Sequence, residues 1–252
     1  PTEMVSLPSQ GRYYPEGHPL CGETTVEIRY MTAKDEDILT SRALLKEGIA
    51  IDRLLQNILV NKEINVNSLL IGDKNALIVA SRITGYGTEY STNVTCPFCN
   101  TVGEYAFDLD AEDGATDVES ALEKYEATAS ATHTFTVELP LTRAAVECRL
   151  LTGIDELKLA KEAQRQSKKK QGETTLTSQL GAFIVSVNGE SDHLTKVAFI
   201  QNLPARDSRY LRTFYSDITP NLDMNQTYEC ASCGYTADME VPLTADFFWP
   251  KR

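Results

Sequence analysis

The chain has 252 residues, 42% of them hydrophobic, enough for one large domain or two modest ones with a sizeable core. Its net charge is −12, from 36 acidic against 24 basic residues, which makes nucleic acid an unlikely partner because phosphate binding needs clustered positive charge. No stretch of about 18 apolar residues is present to cross a membrane, and residues 1–20 lack the basic and apolar regions of a signal peptide, so a cytosolic product that has lost its initiator Met ahead of Pro1 is expected.

Residues 1–22 carry Pro8, Pro15, Pro19, Gly11, Gly17 and Gly22. Such punctuation forbids a long regular element and predicts an extended N-terminal arm. The adjacent Tyr13 and Tyr14 are candidate partner-binding residues; the arm either drapes on its own domain or reaches a neighbour. The next segment, 23–110, reads as helical with one hairpin. A strand over 24–31 alternates, and a helix opens at Thr32 with Asp35, Glu36 and Asp37 in its first turn and ends at Gly48. Ile51, Leu54, Leu55, Ile58 and Leu59 form one apolar helical face. "IGDKNALIVASRITGYG" predicts a buried helix with Asp73 as N-cap and Gly85 as C-cap. Strand-like "TEYSTNVT" and "TVGEYAFDL" then flank a Cys-x-x-Cys turn.

Residues 111–225 are expected to form an inserted α+β subdomain, entered through an acidic linker with one short helix. Two strands follow, 133–140 and 144–151. The helix after Gly153 carries Lys158, Lys161, Arg165 and Lys168 on one face, either a solvated face or a contact for an acidic surface such as the chain's own 108–126. Asn188-Gly189 marks a turn, and helices are predicted over 194–203 and 205–218. The last segment, 226–252, repeats strand, Cys pair and strand, then ends on the aromatic cluster Phe247, Phe248 and Trp249, which either folds back beside the Cys hairpins or plugs a neighbouring subunit as further candidate partner-binding residues. No repeat of the solenoid type is visible.

The six cysteines are Cys21, Cys96, Cys99, Cys148, Cys230 and Cys233. Each Cys-x-x-Cys pair, Cys96/Cys99 and Cys230/Cys233, sits in a turn between strands and aims two thiolates at one point. Two such halves complete a closed tetrahedral site, and Zn2+ in a structural role is the expected ion, with iron as its competitor. The long separation of the pairs departs from an ordinary ribbon, so a shared site would pin everything between them. Disulfides or a redox dithiol are the alternatives. Cys148 alternates with Val146 and Leu150 and reads as a core residue. Cys21 near His18 makes no site, and His133 and His193 have no partner pattern. No phosphate loop, nucleophile elbow or His-Glu-x-x-His helix is present, so no enzyme is expected. The fold class is therefore α+β: a helical N-terminal part, zinc-ribbon-like β-hairpins with two Cys-x-x-Cys knuckles, and the inserted subdomain.

At "MTAKDEDILTS", "LLIGDKNALIVASRITGYGTEYSTNVTCPFCN" and "FDLD" the chain resembles the baseplate hub and hub-assembly family of T4-type contractile-tail bacteriophages. The likeness covers residues 4–110, and the closing "FFWP" agrees with it. The resemblance implies a place at the distal end of the tail, with other baseplate or hub proteins, the tube or the tape-measure protein as partners. It implies assembly in the host bacterial cytoplasm and no catalytic residues. A transient assembly chaperone absent from the virion is the competing class, and a zinc-ribbon nucleic-acid binder a third. Self-association is left open.

Overall fold

The computed structural model describes residues 1–110, 116–169, 172, 174–242 and 247–248. The start of the expected acidic linker, much of the loop after the basic helix, and Trp249 with the residues that follow it lie outside them.

The fold is α+β. Strand β1 (Thr2–Ser6) pairs antiparallel with β2 (Thr25–Arg29). Helices α1 (Ala33–Thr40), α2 (Arg42–Glu47) and α3 (Ala50–Ile58), a 3-10 turn (Val66–Ser68) and α4 (Ile71–Tyr86) follow, then the hairpin β3 (Glu89–Thr95) and β4 (Val102–Asp108). The second part runs α5 (Val118–Lys124), β5 (Thr128–Ala129), β6 (Thr134–Glu138), β7 (Ala145–Arg149), α6 (Gly153–Lys168), α7 (Thr175–Phe183), β8 (Ile184–Val187), α8 (His193–Gln201) and α9 (Ala205–Ile218). It closes on the hairpin β9 (Asn225–Glu229) and β10 (Thr236–Glu240). Strands β5, β6, β7 and β8 form one antiparallel sheet in that order.

Three expectations need correction. The helix predicted from Thr32 to Gly48 is broken at Ser41, which is extended (φ −64°, ψ 112°) and caps α2 through its side chain. Gly48 ends α2 in the left-handed region, φ +71°. In α4 the caps are Leu70 and Gly87, not Asp73 and Gly85. Asp73 instead lies inside the first turn, fully buried, and accepts from the Ser9 N–H, the Ser9 hydroxyl and the Tyr14 hydroxyl. That carboxylate draws the arm onto α4. The arm, expected to be extended, folds through turns after β1 and buries Leu7, Tyr14 and Leu20.

The two parts of the chain share a plan, although it is not a repeat of the solenoid type. "VEIRYMTAKDE" (26–36) and "VECRLLTGIDE" (146–156) match at Val, Glu, Arg, Thr, Asp and Glu in the same order. Three of the shared residues, Arg, Thr and Asp, make the same bonds in each part. Thr32 and Asp35 form a capping box on α1, with Arg29 gripping Asp35 by two bonds of 2.7 and 2.9 Å. Thr152, Asp155 and Arg149 do so on α6, with bonds of 2.8 and 2.7 Å. Buried Asp207 sits at the third residue of α9, as Asp73 does in α4, and accepts from the Leu141 and Thr142 N–H groups and the Thr142 hydroxyl. "VSLP" (5–8) leads to the Ser9 donor and "VELP" (137–140) to Thr142. Helices α4 and α9 each run into a Cys-x-x-Cys hairpin. The correspondence pairs residues 1–110 with 116–242.

The two parts share one hydrophobic core. Leu70 bridges Thr152; the Ile71 N–H donates to Leu151 and the Gly153 N–H to Leu69. Buried Lys74 of α4 ties Asp52 of α3 (2.6 Å) to Glu156 of α6 (3.0 Å). An ammonium at that depth persists because both carboxylates face it, and together they raise its pKa against the opposing effect of burial.

Candidate metal centre

Both knuckles have the same backbone. In the first, the Cys96 N–H donates to Thr101 and the Asn100 N–H to the Cys96 carbonyl, each at 2.9 Å. In the second, Cys230 and Tyr235, and Gly234 and Cys230, repeat those bonds at the same length. The residue after each second cysteine is left-handed, Asn100 at φ +58° and Gly234 at φ +72°. Asn and Gly are the residues that tolerate this conformation.

The hairpins face each other. Phe98 stacks on Tyr235 at 5.7 Å, and Tyr105 meets Tyr228 edge-on at 5.1 Å. The Tyr105 hydroxyl donates to Thr227, and the Gln226 side chain bonds both backbone groups of Asp108. These contacts bring the four sulfurs of Cys96, Cys99, Cys230 and Cys233 within 4.8 Å of one another. Cys96 lies 3.8 Å from Cys233, and Cys99 lies 3.8 Å from Cys230. A tetrahedron with metal–sulfur bonds of about 2.3 Å has sulfur–sulfur edges of about 3.8 Å. The geometry fits one ion held by four thiolates and does not fit disulfides, whose sulfurs lie about 2 Å apart.

Backbone amides favour the charged sulfurs. The N–H groups of Cys233 and Ser232 bring Cys230 down to about 6. The Thr101 hydroxyl and N–H hold Cys99 below its ordinary value. At Cys233 the Tyr235 N–H favours the thiolate, but burial and the other three sulfurs raise it to about 12. Sulfurs crowded this closely cannot all ionise without a cation between them. Cys96 and Cys230 are buried, Cys99 is half-buried and Cys233 reaches the surface.

The cluster can therefore hold a metal ion. Cys148 is fully buried on β7, and burial raises its pKa. Cys21 is exposed and single, and both ring nitrogens of His18 are engaged, with Ser68 and Leu20.

A family model for the T4 bacteriophage base plate protein matches residues 2–249. The chain belongs to that family. The match runs on through the middle of this baseplate protein, beyond the residues 4–110 that carry the resemblance read from sequence. No curated protein and no solved structure matches the chain. No helix among the described residues is long and apolar enough to cross a membrane.

The candidate partner residues of the baseplate protein fall largely inside its own core. Tyr14 is 2% exposed, stacked on His18, its hydroxyl accepting from Leu70 and donating to Asp73. Tyr13 is half-buried against His133 and Phe135 of the second part. Phe247 and Phe248 are buried, Phe247 edge-on to Tyr90 at 5.1 Å. Buried Arg82 donates to the carbonyls of Phe247, Gly87 and Glu89, and so fastens the C-terminal segment beside β3. The rings fold inward because each has an apolar or hydrogen-bonding partner at home. Trp249 lies outside the described residues. Asp207 and Arg82 were not singled out from sequence, and Asp73 only as a cap; the available signals were an Asp at the third helical position in both α4 and α9, and an Arg on the otherwise apolar stretch that ends α4. Of the basic face on α6, Arg165 pairs with Glu162, and no ion pair among the described residues joins it to 108–126.

Proposed function

We propose that the protein is a non-catalytic structural or assembly component of the hub region of a contractile-tail baseplate, and that Cys96, Cys99, Cys230 and Cys233 hold one structural zinc ion. The observation that carries the metal reading is the tetrahedral spacing of four sulfurs, two from each part of the chain. Four thiolates close the coordination shell and leave no position for substrate, which suits a staple and not a catalyst. Family membership over residues 2–249 supports the baseplate role. Its neighbours are other baseplate or hub proteins, the tube or the tape-measure protein, met in the host cytoplasm during assembly and kept in the virion tail.

Elemental analysis of protein purified without chelator tests the metal: one zinc per chain is expected. Two, or none, refutes the shared site, and visible thiolate-to-iron absorption would replace zinc with iron. Mass spectrometry of purified virions tests the placement, because a transient chaperone would be absent from them.

A further inference from the structure

The two parts of the chain differ at one strand edge. In an antiparallel pair, alternate residues bond to the partner strand and those between turn their N–H and C=O outward. The Tyr30 N–H donates to Pro1 and the Leu7 N–H to Thr24, which fixes Pro1, Glu3, Val5 and Leu7 as the residues bonded to the β2 side. Thr2, Met4 and Ser6 therefore turn their backbone groups away from it. In the second part the Leu139 N–H donates to Ala144, which sets the same phase on β6 and turns Thr134 and Thr136 outward. There the edge is filled: β5 pairs Thr128 with Thr136, and the Ser130 N–H donates to Thr134. The outer side of β2 is also engaged, by the Val60 N–H on Glu27. Among the described residues nothing bonds the outward groups of β1.

That edge is lightly protected, with Glu3 as the one charge on a five-residue strand. "TEMVS" has no lysine or proline, its pairing with β2 is continuous, and Met4 is 58% exposed. Beside it lies a groove of about 510 Å³ between β1 and α4. Its floor is Ala76, Val79, Ala80 and Ile83, spaced along one face of α4, with Leu109 and Leu222 opposite. Among the described residues, the charged ones that line it are Glu3 and Asp110, and no basic side chain does.

We propose that the free edge of β1 docks an extended segment of a partner protein, which adds as a third antiparallel strand in the place that β5 takes on β6. The segment spans about five residues, since a strand rises about 3.3 Å per residue. It presents small apolar side chains to the alanine-rich floor and a lysine or arginine to Glu3 and Asp110. Backbone bonds supply the attachment and the groove the selectivity. The proposal goes beyond the baseplate reading and does not depend on it.

The test is selection of a random heptapeptide display library on the full-length protein. Enriched peptides are expected to alternate small apolar residues and to carry Lys or Arg. Met4→Pro removes one outward N–H without touching the bonds to β2, as proline on a strand edge permits. It should weaken the enriched peptides at least tenfold while the protein melts at the wild-type temperature. Ala80→Trp, which fills the floor, should do the same; if it unfolds the protein, Met4→Pro stands alone. Absence of enrichment, or enriched peptides that bind both variants as well as wild type, overturns the proposal. So does a dimer in sedimentation that Met4→Pro dissolves, because the edge would then belong to a second copy.

Discussion

Replacing Asp73 by Ala should loosen the N-terminal arm and cost about 3–4 kcal/mol. The carboxylate accepts from the Ser9 N–H at 2.9 Å, the Ser9 hydroxyl at 2.5 Å and the Tyr14 hydroxyl at 2.7 Å, all buried. Bonds to a charged acceptor contribute roughly 1.5–3 kcal/mol each, and a buried donor left without a partner costs about 1–3 kcal/mol. The gross loss is smaller than three full bonds for two reasons. Burial already raises the pKa of Asp73, so part of the bonding offsets the cost of a buried charge. The Tyr14 and Ser9 hydroxyls also keep the N–H groups of Leu70 and Gly11 as donors to them. What remains is one stranded N–H and one or two misdirected hydroxyls, hence the figure above. At this chain length it corresponds to a melting point lower by about 10 °C. Urea unfolding gives the free energy, and a double-mutant cycle with Ser9→Ala isolates the shared part, expected at about 1–2 kcal/mol. A loss under about 1 kcal/mol, or additivity within about 0.3–0.5 kcal/mol, would refute the idea that this carboxylate fastens the arm.

Further consequences can be checked alongside it. Gly72→Ala should destabilise the fold by about 2–3 kcal/mol in denaturant, because a Cβ there would lie 1.7 Å from the backbone oxygen of Pro220 and the chain must shift. In native thiol labelling Cys21 should react first and Cys148 not at all; chelation should then open the four clustered cysteines, whereas labelling of all cysteines before chelation would contradict a metal-filled site. Arg29 holds Asp35 well below the ordinary carboxylate range. A depressed folded-state value gives stability that is present above about pH 4, the unfolded value, and lost as pH falls through the folded one. Acid unfolding curves of Asp35→Asn should lose that part of the slope, and an unchanged slope would disprove the contribution.

The sequence by itself determined the local chemistry. Helix α3 was legible because its apolar residues recur at helical spacing, and the knuckles because two cysteines with two residues between them, set between strands, have few other uses. The α+β class follows from the same signals. Family likeness was legible over residues 4–110 in the block around α4. Tertiary structure decided whatever depends on a distant partner. Asp73 looked like a cap because Asp at a helix start usually is one; only the arm's return made it an internal acceptor. Ser41 divided the helix expected from Thr32 to Gly48, because an extended Ser that accepts from the Leu44 N–H ends one helix and caps the next. For the aromatic residues at both ends the sequence left self-docking and partner contact open, because it shows their hydrophobicity and not the Tyr90, Arg82 or Phe135 that receives them. The likeness between the two parts was written in residues 26–36 and 146–156, yet it is short and interrupted by helices of different length. It became plain only when Arg, Thr and Asp were seen making the same bonds twice. Sequence spacing can propose that two Cys pairs meet; only the chain's closure, two hairpins set face to face by Tyr105, Tyr228 and Gln226, brings four sulfurs to tetrahedral distance.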